Sequence, residues 1–393
     1  MGILLSDKKN EILAQFADLQ TDMSFDWFTD YFQEEHSNRN AMMQDFTPKE
    51  LTQLLPQLSE GYSEVLDVCS GTGGLTIGAW NRNPNAFYVC EELSERAFPL
   101  LLFNMAIRNI NGLAVRKDIL SGEVFSVYRL ERSERFSNII AAAYPEENIK
   151  FSLVLMNPPY SLKFNWESTP EYMSEFGTPP NKAADYAFVL YGLSRLAQNG
   201  RLFAILPHGV LFRGQREGEI RKKLLTDGLV REVVGLPEKL FLNTQIPVCI
   251  LSISQEGKTN VLFVDASREF EKNAKQNRLR SGDVAKMVET INNHKNVEMY
   301  SRAVGLSEIE ANDYNLNIPR YVDTSEKEPA PDLIIILTEM EQIEREIEKT
   351  EKDFYKLLEH LTAGDKESAE QLKKLKSHFK KGKEGYEQYT FNL

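Results

Sequence analysis

The chain of 393 residues contains only three cysteines and five histidines. Cys69, Cys90 and Cys249 stand far apart, with no Cys-x-x-Cys pair, which argues against a disulfide framework or a zinc site. The histidines show no metal-ligand spacing, so no metal is expected. Long hydrophobic runs are also missing. The densest, Leu333 to Leu337, falls far short of the ~20 residues that span a bilayer, and the N-terminus has no signal-peptide pattern. Positive charge is scarce: 46 Lys and Arg face 58 Asp and Glu, a net charge of −12. Phosphate neutralisation dominates nucleic-acid affinity, so such a chain is poorly suited to hold DNA tightly by itself. These absences leave a reducing, cytoplasmic, metal-free protein as the expectation. Its 42% hydrophobic and 26% charged residues are ordinary for a globular chain, and its length allows two or three domains.

From about residue 47 to 255 strands and helices alternate, which predicts an α/β, doubly wound sheet. Parallel strands are expected at 64–68, 86–90, 113–117, 151–156 and 201–206. Two further β-rich runs, Val230 to Gly235 and Val248 to Ser254, would add an antiparallel pair and complete a seven-stranded mixed sheet. Before this region, residues 1–45 form a short helical segment. Ile12, Phe16 and Leu19 fall at helical spacing there, and Trp27, Phe28, Tyr31 and Phe32 form an aromatic cluster. Residues 118–150 read as a polar connection, and 161–182 as a long loop with Trp166 and Phe176. That loop either closes over a bound base or packs on the surface. Residues 256–320 are basic in parts (Lys272, Lys275, Arg278, Arg280, Lys286), a pattern that fits a solvated helical face. A linker at 326–331 precedes a C-terminal tail, 332–393. In it, Leu333, Ile336, Met340, Ile343, Ile347, Phe354, Leu357 and Leu361 recur at three- and four-residue steps, with Thr350 in the seam. The pattern predicts a coiled-coil helix of about four heptads. A narrow stripe after a proline linker points to a partner helix rather than to packing on its own domain. Lysines in the last 30 residues belong to a second helix or a mobile tail.

Asn157-Pro158-Pro159-Tyr160 is the most informative motif. It follows the apolar run from Phe151 to Met156, and its prolines stop that strand and fix an extended path. An amide and an aromatic ring are thereby held at a strand's C-terminal edge, where open α/β sheets bind ligands. An adenine amino group needs such a site. Its lone pair is delocalised into the ring, acceptors for its two hydrogens favour the nucleophilic form, and a ring can stack on the base. Taken alone, the tetrapeptide also reads as an ordinary turn. Ninety residues upstream, Val65-Leu66-Asp67-Val68 runs into Cys69-Ser70-Gly71-Thr72-Gly73-Gly74 and a helix. Gly71 and Gly73 remove Cβ atoms where backbone must approach a ligand. No Gly-Lys-Ser/Thr follows, so this is not a phosphate P-loop. Glu91, 24 residues after Asp67, ends the next strand. It is placed either to accept hydrogen bonds from ribose hydroxyls or to sit on the surface as a solvated carboxylate.

With these motifs the chain resembles the modification subunit of type I restriction–modification systems, an N6-adenine DNA methyltransferase family, over roughly residues 40 to 360. The segment Asp67 to Gly74 is similar to that family's cofactor motif, with departures at Val68, Cys69 and Ser70. Phe46-Thr47-Pro48-Lys49-Glu50 is similar to a second motif. The run Gly200 to Gly214 and the stretch Ile246 to Leu251 match further signatures. The resemblance implies a Rossmann-like S-adenosylmethionine-dependent methyltransferase fold. It also implies that Thr47, Asp67, Ser70, Gly71, Gly73, Glu91 and Asp118 hold the cofactor, S-adenosylmethionine. Asp118 would meet the cofactor's adenine, or else cap a turn. Asn157, Pro158, Pro159 and Tyr160 would carry the chemistry on a flipped adenine, with Tyr160 stacked on the base. Arg213, Arg216, Arg221 and Lys222 would touch phosphates, or serve as structural caps. A separate specificity subunit would read the DNA and take the C-terminal helix, and a second modification subunit and a restriction subunit complete the expected partners, with no membrane. Typical relatives have a longer N-terminal helical domain. A catalytically impaired scaffold, a solitary adenine DNA methyltransferase and a protein glutamine methyltransferase are the competing readings.

Overall fold

A computed structural model describes residues 1–29, 47–59, 61–144, 149–241, 246–257, 259–273, 276–324 and 332–383. Tyr31, Phe32, Phe46, Lys275 and the linker 326–331, all singled out above, lie outside the described residues. The chain divides into two compact units, Met1–Ser325 and Glu326–Leu393.

Among the described residues the first unit is built on one sheet of 11 strands, in the order β11-β10-β8-β9-β7-β6-β1-β2-β3-β4-β5. The strands are β1 (Glu64–Val68), β2 (Phe87–Glu92), β3 (Asn111–Lys117), β4 (Val124–Glu131), β5 (Asn138–Ala141), β6 (Phe151–Met156), β7 (Leu196–Pro207), β8 (Val230–Gly235), β9 (Val248–Ser254), β10 (Asn260–Asp265) and β11 (Ser301–Gly305). The expected seven strands are all present as its centre. Strands β3, β2, β1, β6 and β7 are parallel, and β9 runs antiparallel between β7 and β8. The count of seven is nevertheless too low. An antiparallel pair, β4 and β5, extends one edge, and β10 with β11 extends the other. The expected polar connection at 118–150 is therefore partly sheet. Strand β4 is half-exposed along much of its length, which is why it lacks the apolar run of a central strand.

Side chains alternate across the central strands and fill both faces of the sheet. Leu66, Val68, Val89, Val154, Met156 and Leu202 pack with the helices Asp185–Arg195 and Arg216–Thr226 on one face. Val65, Tyr88, Cys90, Leu153, Leu155 and Phe203 pack on the other with Lys49–Leu54, Gly74–Arg82 and Ala97–Ile107. The N-terminal helix, Lys9–Leu19, joins this second face. Its Leu13 is fully buried, and Phe16 meets Phe103 edge-on at 5.0 Å. The loop after β6 folds back onto the first face through Leu162, Phe164, Trp166 and Tyr172.

The described residues of the second unit form two helices, Leu333–His360 and Lys366–Lys383. Asp332 caps the first by accepting from Ile334 N at 2.9 Å. Phe354 meets Phe379 at 5.1 Å, and Lys376 Nζ donates to the carbonyls of Glu359 and Leu361, so the helices fold against each other near the turn. Leu333, Ile336, Met340, Ile343 and Ile347 remain exposed along the first helix.

Candidate active site

Strands β1 and β6 are parallel neighbours, so their C-terminal ends share one edge of the sheet. An open cleft of about 520 Å³ lies there. Three segments line it: the turn Cys69 to Thr72 with Gly74 and Leu75, then Asn157 and Pro159 after β6, then Thr29 and Thr47 from the N-terminal side.

The turn after β1 is tightly wound. Cys69, Gly71 and Gly73 adopt positive φ values of 58°, 58° and 96°. Glycine takes that conformation freely, whereas Cys69 does so against its Cβ. Hydrogen bonds hold the turn. Ser70 Oγ donates to the Asp67 carbonyl at 2.7 Å, Ser70 N to the Glu91 carbonyl at 3.0 Å, and Gly73 N to the Ser70 carbonyl at 2.8 Å. Ser70 thus both lines the cleft and clamps the turn. Burial, with Glu92 nearby, pushes the Cys69 thiol well up, so it is a neutral wall of the cleft. Gly74 opens the helix Gly74–Arg82, which lies so close to Lys49–Leu54 that a Cβ on Gly78 would stand 1.8 Å from the Thr52 carbonyl oxygen. That approach brings Thr47 to the cleft.

Asn157 is fixed at both ends of its amide. Its Nδ2 donates to Thr47 Oγ1 at 3.0 Å, and its Oδ1 accepts from Tyr160 OH at 2.8 Å. Pro158 is buried, and Pro159 is half-buried at the cleft. Tyr160 is 7% exposed and lies edge-on to Phe241, with ring centroids 6.1 Å apart. In this arrangement Tyr160 orients Asn157 and is not among the residues that line the cleft. The exit of the motif is held by Asp185, which sequence reasoning missed. Fully buried, it accepts from Ser161 N at 2.8 Å and from Arg213 at 2.6 Å.

The two glutamates that end β2 point to opposite faces. Glu91 is turned away from the turn's backbone, onto the face covered by Asp185–Arg195. There it accepts from Tyr144 OH at 2.9 Å and Tyr191 OH at 2.8 Å, with Lys117 and Arg195 within 4 Å. Glu91 is fully buried and Glu92 is 2% exposed, and neither is among the residues lining the cleft. The carboxylate at the Gly-rich turn is Glu92: its Oε2 accepts from Gly71 N at 2.7 Å and its Oε1 from Ser94 N at 2.6 Å. A shift of one residue flips a strand side chain to the other face, which corrects the expectation for Glu91.

Asp67 also lies beneath the turn rather than in the cleft. Its Oδ2 accepts from Thr76 N and Thr76 Oγ1, while Oδ1 is buried with no hydrogen-bond partner among the described residues. Burial pushes its pKa up to about 7, against the pull of the Thr76 bonds. Asp118 does not line the cleft, and its Oδ1 accepts from Leu120 N at 2.9 Å, the geometry of a turn cap. Arg213 and Arg221 are internal braces. Arg213 pairs with Asp185 and Glu217, and Arg221, 3% exposed, donates to the carbonyls of Tyr314, Val210 and Arg213. Lys222 lies 5.2 Å from the Tyr314 ring, and Arg216 is exposed.

Comparison with known proteins places the chain in a family. Residues 17–330 match the N-6 DNA Methylase family. The methylase subunit of the type I restriction enzyme MjaVII from Methanocaldococcus jannaschii is 29% identical over 344 residues, 84% of this chain and 57% of the relative. The HindI methylase subunit from Haemophilus influenzae is 28% identical over 77% of this chain and 68% of its own length. Among solved structures, the methyltransferase subunit of a type I restriction–modification system from Streptococcus thermophilus superposes with a TM-score of 0.63 at 33% identity, covering 71% of this chain and 59% of that one. The chain spans between 56% and 60% of the length of the MjaVII, MjaVIII and MpnII subunits it matches. The match over most of the first unit, on a sheet that carries both motifs at one edge, shows that this chain belongs to the N-6 DNA Methylase family.

Proposed function

We propose that this chain is the catalytic part of a type I modification subunit, transferring a methyl group from S-adenosylmethionine to N6 of adenine in DNA. The observation that carries the reading is Asn157, locked between Thr47 and Tyr160 beside the Gly-rich turn. S-adenosylmethionine would supply an electrophilic methyl group. The residues present suit it: a cleft with a glycine cradle at one wall and hydroxyl and amide groups at the other.

Within that cleft the chain's own task is to position and to accept hydrogen bonds. Asn157 Oδ1 and the Pro158 carbonyl would take the two hydrogens of the adenine amino group and favour its nucleophilic form. The Pro158–Pro159 pair keeps these acceptors rigid, so little reorganisation accompanies reaction. A general base is not required, since the proton can leave after transfer. Stacking on Tyr160 would need its ring to part from Phe241, so entry of a base and rearrangement of this pair are coupled in the proposal. Glu92 takes the ribose-binding role first expected of Glu91, because it is the acid that reaches the turn. The net charge of −12 supports dependence on another subunit for DNA affinity and sequence reading. The exposed stripe from Leu333 to Ile347 is the surface we assign to a specificity subunit, and the partners expected beyond it are a second modification subunit and a restriction subunit. The site of action is the cytoplasm.

Methyl transfer to DNA, measured with labelled S-adenosylmethionine in the presence of the specificity subunit, tests the reading. Asn157→Ala is expected to lose at least about a hundredfold in rate, as removal of a transition-state acceptor does, with cofactor affinity largely retained. Transfer at the unmodified rate by that variant would sink the mechanism.

A further inference from the structure

The N-terminal strap at residues 22–29 is wired into the Gly-rich turn by one carboxylate. Asp26 accepts four hydrogen bonds. Two come from its own segment: Phe28 N at 3.0 Å and Thr29 Oγ1 at 2.6 Å. Two come from the far side: Thr72 Oγ1, inside the turn, and Asn104 Nδ2 at 2.7 Å. Asn104 Nδ2 also donates to the Thr72 carbonyl at 2.7 Å, so Thr72 is gripped at both its hydroxyl and its backbone. Thr72 and Asn104 are each 1% exposed. Arg108 completes the frame. Its guanidinium donates to the carbonyls of Met23 and Phe25 and to Asn104 Oδ1, and lies 4.3 Å from the Trp27 ring.

The arrangement has a consequence for the cleft. The turn holds three positive-φ residues within five positions, one of them Cys69, and a turn so wound keeps its shape only when its surroundings hold it. Asp26 supplies that hold from outside the Gly-rich motif. The same carboxylate sets Thr29, so one group fixes two lining residues that arise 43 positions apart in sequence. We propose that Asp26 is a positioning residue for cofactor binding: through Thr72, Asn104 and Thr29 it holds the Gly-rich turn and the strap in the one arrangement that accepts S-adenosylmethionine. The proposal rests on the methyltransferase reading above.

Four variants and two readouts test it. Asp26→Ala removes all four bonds. Thr72→Val removes only the turn-side hydroxyl and leaves the strap's own bonds intact. Asp26→Glu keeps the charge and tests rescue. Cofactor affinity is read by calorimetry with S-adenosylmethionine on the full chain, and the cofactor KM and kcat by methyl transfer with the specificity subunit. Asp26→Ala and Thr72→Val are expected to weaken cofactor binding roughly tenfold or more, the size of a lost charge-assisted hydrogen bond, and to raise KM while kcat at saturating cofactor stays near the parent value. Asp26→Glu is expected to recover part of the affinity. Asn81→Ala, which removes a contact to the Ser24 carbonyl on the exposed side of the same strap, is expected to leave affinity unchanged. If the parent chain itself binds no S-adenosylmethionine, the methyltransferase reading fails. If the parent binds and Thr72→Val binds equally well, the positioning role is overturned, even where Asp26→Ala does not fold.

Discussion

Gly78→Ala offers a test in which two physical effects predict opposite signs. In an exposed helix, alanine in place of glycine is worth about 1 kcal/mol of added stability. At Gly78 the new Cβ would lie 1.8 Å from the Thr52 carbonyl oxygen and 2.7 Å from its carbon. Non-bonded atoms settle near ~3.5 Å, so the helices Gly74–Arg82 and Lys49–Leu54 must part by about 1.5 Å. The obstacle is backbone, and no rotamer change relieves it. Overpacking of this kind costs about 1–3 kcal/mol, which outweighs the propensity gain. The same separation moves Thr47 from the turn that begins at Cys69, and a misplacement of ~1 Å at a positioned site can lower a rate about a hundredfold. Thermal unfolding and calorimetry with S-adenosylmethionine are the assays. The expected outcome is a Tm lower by several degrees together with weakened cofactor binding. A variant with unchanged or raised Tm and parental affinity would refute the claim that this close approach sets the cleft.

Four further outcomes follow from the geometry. Glu92→Gln is expected to weaken cofactor binding with a small change in Tm. Glu91→Gln should lower Tm, because Lys117 and Arg195 lose their buried counter-charge, and leave cofactor affinity unaltered; calorimetry and melts on the pair separate the roles. Asp67 has a folded pKa of about 7, above its unfolded value, so the native state binds its proton more tightly. Its contribution to stability is therefore greatest at low pH and declines as pH rises from about 4 through 7, by on the order of 4 kcal/mol for a shift of about three units. Asp67→Asn should flatten that decline, and chemical denaturation across this range would show it. Ile336→Glu combined with Ile343→Glu is expected to abolish co-purification with the specificity subunit and leave cofactor binding intact. Retained co-purification would remove the exposed stripe from the proposed interface.

Much of the sheet's centre was legible in the sequence because it is buried on both faces. Strands β6 and β9 are nearly unbroken apolar runs, β1 and β8 set valine and leucine around two charged residues each, and the observed limits of all four match the expected ones. The edges were not legible for the same physical reason. Strand β4 carries Arg129 and Glu131 on a half-exposed surface, so its residues resemble a polar loop. In the site, the two motifs met at one sheet edge as read, since parallel strands place their C-terminal ends together. Glu91 was misplaced by a single residue: β2 runs to Glu92, two positions beyond the expected end, and alternation then chooses the other acid for the turn. Asp26, Asn104 and Asp185 carried no local signal, because their partners are distant in the chain. Asp26 and Thr72 are 46 positions apart, and only the folded packing of strap against turn brings them together.

The most direct test of the central claim is sequencing that detects N6-methyladenine in DNA from cells carrying this chain with the specificity subunit proposed for it, compared with cells carrying Asn157→Ala in its place. The account predicts methylated adenine at one recurring sequence with the parent chain and none with the variant. Methylation at the same sites by the variant, or its absence with a parent chain that binds S-adenosylmethionine, would contradict it.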